Sequence, residues 1–144
     1  MAVLNYTTTI DPHKSVGEIQ KLLAGKGARG VLVGYDDAGN PVSLAFEIAA
    51  SGAIFRYQLP CRHHAVWKQL QRDPRTTKAQ RTEAQALRVA WRILKDWVEA
   101  QMAIVEAQMV DLREVFFAYS LTDTGQTMYE RSAGLLTGPA EGNG

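Results

Sequence analysis

The sequence predicts an α+β domain, and three observations carry that expectation. Val42, Leu44, Phe46 and Ile48 alternate with Ser43, Ala45 and Glu47, which is the period of a half-buried strand. Apolar residues at helical spacing run from Thr77 to about Val110, far beyond the length of a strand. Turn signals containing Gly, Pro, Asn and Asp separate the shorter stretches that precede this run. The expected order is β-α-β-β-β-α-α-α: an N-terminal antiparallel β-meander with a short first helix, packed against a long C-terminal helix. One domain is expected over 1–133. The small, polar, Gly- and Pro-bearing stretch 134–144 is expected to be a disordered tail.

Taken in order, Asn5 to Ile10 is rich in β-formers and reads as a strand, which Asp11-Pro12 ends. Ser15 and Glu18 have capping-box spacing, and Ile19, Leu22 and Leu23 supply an apolar face, so Ser15 to Ala24 reads as a helix. Gly25 or Gly27 can close it in the left-handed conformation. Ala28 to Tyr35 reads as a strand, Asp36 to Asn40 as a hairpin loop, and Val42 to Ile48 as the next strand. Ser51-Gly52 turns the chain into a strand from Ile54 to Leu59, with Phe55, Tyr57 and Leu59 on one face. Arg62 to Arg72 reads as a short helix with Val66, Trp67 and Leu70 inward, broken at Asp73-Pro74. Leu112 to Leu121 has helical spacing but β-branched and aromatic content, so helix and strand both remain open there. Thr122 to Gln126 is a loop.

The long helix, capped by Thr77 with Gln80, is apolar around about two thirds of its circumference. Burial on more than one side is therefore expected, partly against the same chain and partly against another copy, giving a homo-oligomer through this helix. Its polar strip holds Arg88, Arg92 and Lys95.

Charge is segregated along the chain. The window from Arg56 to Lys95 carries ten bases against two acids, a net +8, while the remainder carries six bases against thirteen acids. A segregated basic segment points to an anionic partner, the alternative being a solvated helix face. The single cysteine excludes an intrachain disulfide. The chain opens on no basic stretch followed by an apolar run, and no apolar segment approaches the roughly 20 residues of a membrane span. The expected location is the cytoplasm, without membrane contact.

No P-loop, His-Glu-x-x-His or Gly-x-Ser-x-Gly pattern is present, so the residues suggest a binding protein and not an enzyme, with no cofactor. No metal site is expected at Cys61-x-His63-His64, since neighbours on an extended chain point oppositely. Arg62 or His63, near a helix start, could help hold an anion. Trp67, Trp91 and Trp97 at helical spacing suit a core better than base stacking. Tyr6 and Tyr57, on strands, are better stacking candidates. Arg56 lies on the strand face opposite Tyr57. The nucleotide-binding candidates are therefore Tyr6, Arg56, Tyr57, Arg62, Arg88, Arg92 and Lys95. Laid over the sheet, the Arg88–Arg92–Lys95 strip would clamp a phosphate. Arg92→Ala is expected to cost binding and to spare the fold.

Asn5-Tyr6-Thr7-Thr8, Glu18-Ile19-Gln20, Phe55 to Pro60 and, above all, Arg88 to Ile104 (RVAWRILKDWVEAQMAI) resemble a widespread group of small proteins of phages and mobile elements. The likeness runs from about Asn5 to Tyr129. This group is similar to phage nucleotide sponges. The resemblance implies a phage-encoded, non-catalytic protein that sequesters a nucleotide immune signal, such as a cyclic oligonucleotide or a related phosphorylated second messenger, to inhibit bacterial anti-phage defence. The alternative is a single-stranded nucleic-acid-binding accessory protein of a phage or mobile element, which the +8 window fits equally well.

Overall fold

A computed structural model of the chain describes residues 3–133. The tail expected over 134–144 lies outside them. The architecture is α+β, with one three-stranded antiparallel sheet in the order β1-β2-β3.

The first helix, α1, is Pro12–Ala24. It starts earlier than Ser15 because Asp11 is its cap. The Asp11 carboxylate accepts from the His13 amide at 2.8 Å, and Pro12 takes the first helical position, where a missing N–H costs nothing. Ser15 and Glu18 are thereby released from capping and turn toward the interior. Gly27, at φ 101°, supplies the left-handed residue beyond the helix end.

The stretch expected as a first strand is irregular. Asn5 has φ 62°, and the Thr8 amide turns back onto the Asn5 carbonyl at 3.0 Å. A strand needs a neighbouring ladder, and here a helix side chain takes the carbonyls instead. Gln85 Nε2 donates to the carbonyls of Tyr6 and Thr8, each at 2.9 Å. Because Gln85 is buried and serves two acceptors, Gln85→Ala should loosen this arm and cost about 1–2 kcal/mol. Faster amide exchange confined to residues 5–10, together with a lower urea midpoint, is the expected result.

β1 (Ala28–Tyr35), β2 (Pro41–Ala50) and β3 (Ala53–Gln58) form the expected meander. Asp36 ties its loop by accepting from the amides of Ala38 and Asn40. Ser51 and Gly52, both at positive φ, make the second turn. Leu44, Phe46, Ile48, Tyr57 and Leu59 line the covered face. Leu32, Ala45, Ile54 and Arg56 lie on the other. The two sheet edges differ. Ser120 bridges Tyr57, and the Leu121 amide donates to the Arg56 carbonyl at 2.7 Å, so β3 is covered along part of its edge. Among the described residues no segment pairs with the outer edge of β1.

α2 is His63–Arg72 and the long helix α3 is Glu83–Glu106. The Thr77–Gln80 capping box forms, but it opens only a 3-10 turn over Lys78–Arg81. The Trp67 indole N–H takes the Arg81 carbonyl at 2.7 Å, which breaks continuity, and Thr82 then caps α3 at the Gln85 amide. The wide apolar arc of α3 serves two layers of its own chain. Leu87, Trp91, Leu94, Val98 and Met102 face the sheet and α1. Ala86, Val89 and Ile93 face Leu70, Val66 and Trp67 of α2. Over this length the arc's width is met inside one chain. Ala100, Ala103, Ala107 and Met109 are exposed farther on.

Leu112 to Leu121 is neither one helix nor one strand. α4 (Leu112–Val115) is capped reciprocally by Asp111 and Glu114. A 3-10 turn follows over Phe117–Tyr119, and then come the bridges at Ser120 and Leu121. A further short helix, α5 (Met128–Ser132), begins at the Thr127–Glu130 capping box. That spacing was present in the sequence and is the signal by which α5 could have been found.

Candidate functional site

The basic strip of α3 does not lie over the sheet. It runs along the seam with α1, where Ser15, Glu18 and Lys21 face it. Arg92 is buried and ion-paired: its Nη2 donates to Glu18 Oε2 at 2.6 Å, and Nη1 reaches Ser15 Oγ at 3.4 Å. The Arg92 guanidinium holds the Glu18 carboxyl below its usual range, through the hydrogen bond first and its charge second. Burial of Arg92 also removes the ground for expecting Arg92→Ala to spare the fold. Arg88 bonds neutrally, donating from Nε to Gln85 Oε1 at 2.8 Å. Lys95 lies 3.1 Å from Glu99 and 4.0 Å from Asp96. Asn5 reaches Asp96 from the N-terminal arm at 3.0 Å.

Where α1 and α3 part, an open cleft of about 410 Å³ is lined by Glu18, Lys21, Leu22, Arg92, Lys95 and Glu99. Three cations stand there against two carboxylates. Lys21 has no carboxylate within 4.0 Å among the described residues. Lys21 and Glu18 are what sequence reasoning missed. They border the apolar face of α1, and the spacing that reads as a capping box concealed Glu18's partner on α3.

The other expected site residues lie apart. Tyr57 is 1% exposed and stacks on Phe46 at 5.2 Å between ring centroids, with Phe116 at 6.2 Å. It is a core residue and offers no face to a base, because its strand face is the covered one. Burial raises its phenol pKa. Arg56, on the open face, is ion-paired with Glu47 at 2.8 Å, and its guanidinium lowers the Glu47 pKa. Tyr6 packs between α2 and α3, under the Arg75 guanidinium, which stands 5.1 Å from its ring centre. Arg62 is exposed beside a second cleft of about 340 Å³, which it lines with Gln58, Thr127 and Glu130. Of the seven candidates, the structure brings only Arg92 and Lys95 into one cleft, with Arg88 one turn away.

A second basic surface is more open. Lys68 and Arg72 are exposed on α2, with Arg75 and Lys78 on the chain that follows. Asp73 is the one acid in that run. It is buried and accepts from the amides of Arg75 and Val3, which lower its pKa. Among the described residues no helix is long and apolar enough to cross a membrane. No known family, curated protein or solved structure matches this chain.

Proposed function

We propose that this protein is phage-encoded and sequesters a phosphate-bearing nucleotide immune signal without transforming it, inhibiting bacterial anti-phage defence as the resemblance to phage nucleotide sponges implies. The observation that supports this reading is the convergence of Lys21, Arg92 and Lys95 on one cleft with an excess of one positive charge. Guanidinium and ammonium groups set together around a space of this size suit a small phosphorylated ligand. Self-association would use the exposed residues at and just beyond the end of α3, Ala100, Ala103, Ala107 and Met109, and would narrow an otherwise open cleft. The reading places the protein in the host cytoplasm. Native mass spectrometry with a panel of cyclic dinucleotides, cyclic mononucleotides and short single-stranded DNA tests it. One small nucleotide should bind, be recovered intact after heat denaturation, and be lost from the Lys21→Glu/Lys95→Glu double variant. Binding unchanged in that variant would remove the cleft from the site, and recovery of a cleaved product would replace sequestration with catalysis.

The surface of Lys68, Arg72, Arg75 and Lys78 favours a second reading, an accessory protein that binds single-stranded nucleic acid. An open cationic face tracks a polymer backbone better than it holds one small ligand. Here Lys68→Glu/Arg72→Glu should abolish binding and Lys21→Glu/Lys95→Glu should spare it. Affinity should also fall with salt at a log–log slope of about −0.7 per phosphate contacted.

A further inference from the structure

α2 and α3 begin close together, beside the Asp36–Asn40 loop. α2 opens with His63 and His64, and α3 opens with Glu83. On the first turn of a helix, adjacent side chains diverge by about 100° and not by the 180° of a strand. The two imidazole rings therefore lie side by side, with centroids 4.2 Å apart. Glu83 Oε1 stands 3.6 Å from His63 Nε2 and 3.9 Å from His64 Nδ1. One donor atom from each of the three residues falls within 4.8 Å of the others. A cavity of about 220 Å³ opens next to the group and is lined by His63, Glu83, Asp36 and Asn40.

We propose that His63, His64 and Glu83 form a binding site for a divalent transition-metal ion of the zinc type. Two neutral imidazole nitrogens and one carboxylate oxygen are a donor set that such ions take, at bond lengths of about 2.0–2.2 Å. Bonds of that length at tetrahedral angles set donors roughly 3.3 Å apart. The separations from Glu83 are already close to this. The side chains of His64 and Glu83 are 66% and 52% exposed, so they can draw in without disturbing the core. His63 is the anchored member, 13% exposed. Cys61 stands outside the group. Three protein donors leave a fourth position toward the cavity. Two helix N-termini meet here and disfavour a bare cation. The Glu83 carboxylate offsets this directly, and an anion in the fourth position would accept from free first-turn N–H groups. The site is separate from the α1–α3 cleft and does not rest on the nucleotide reading.

Calorimetric titration of the full chain with zinc chloride tests the proposal, with cobalt(II) as an optical probe of the same site. One ion should bind per chain. His64→Ala and Glu83→Gln, both at exposed side chains, should each weaken binding at least about tenfold, since loss of even a group that only supports a ligand costs about 10–100-fold. Circular dichroism should find both variants folded. The cobalt complex should show visible d–d absorption that vanishes in the double variant. His13→Ala, at the remaining histidine, should leave the affinity unchanged. No zinc uptake in the micromolar range would overturn the proposal, as would equal affinity in wild type and both variants.

Discussion

Trp91→Ala should lower the unfolding free energy by about 4 kcal/mol, the scale for truncating a fully buried tryptophan. Trp91 is 0% exposed and lies where α3 meets the sheet and α1. Its loss opens a cavity that rigid neighbours on both sides cannot fill. It also orphans a polar group, because the indole N–H donates to the Pro41 carbonyl at 2.8 Å. Trp91→Phe separates the two effects. It keeps most of the volume and should cost about half as much, the share of the abandoned carbonyl and the smaller ring. Urea denaturation followed by circular dichroism measures both. A midpoint for Trp91→Ala within error of wild type would refute the packing described.

Arg92→Ala should cost about 2 kcal/mol in stability before any question of ligand arises. A fully buried ion pair broken on one side costs about 3–5 kcal/mol. The figure is discounted here because Glu18 keeps 31% of its side chain in solvent, which can hydrate the abandoned carboxylate. The pair also carries a pH signature. The Glu18 carboxyl titrates lower when folded than its ordinary 4.5, so the unfolded chain binds more protons in that range. Its stabilisation is complete above about pH 4.5 and is lost as pH falls through the lowered folded value. In Arg92→Ala that acid limb should flatten. A double-mutant cycle with Glu18→Gln isolates the coupling. Additive effects of the two substitutions would show that the contact carries no energy.

Most of the fold was legible because its signals are local. The period-two alternation of Val42 to Ile48, the hairpin at Asp36–Asn40 and the apolar spacing of α3 each depend on residues near in sequence. The first strand misled for the opposite reason. Its β-rich composition expresses a preference for pairing, and the partner that decides the outcome, Gln85, lies far along the chain. The partners of the expected site residues were hidden for the same reason. Arg92 was placed correctly on a polar strip, but polarity along one helix does not reveal which element packs over it. Glu18 neutralises it from 74 residues away. Tyr57 was assigned to the right face of β3, yet the sequence did not show that this face is the covered one for an aromatic stack. His63 and His64 would diverge on an extended chain, but both fall in the helix expected over Arg62 to Arg72, whose first turn sets their rings side by side.

The unequal edges of the sheet set a limit on assembly. A bare strand edge can accept a strand from another molecule. Among the described residues only the outer edge of β1 is wholly unpaired. Two copies joined antiparallel through β1 would be related by a two-fold axis, and each would then present outward only the edge partly occupied by Ser120 and Leu121. Continued stacking into a fibril would first require peeling that segment from β3. Among the described residues, strand-mediated association would therefore meet a wholly open edge at β1 and a partly occupied one at β3. The residues that occupy part of the β3 edge, Ser120 and Leu121, sit on the opposite side of the sheet from the strand whose edge is open.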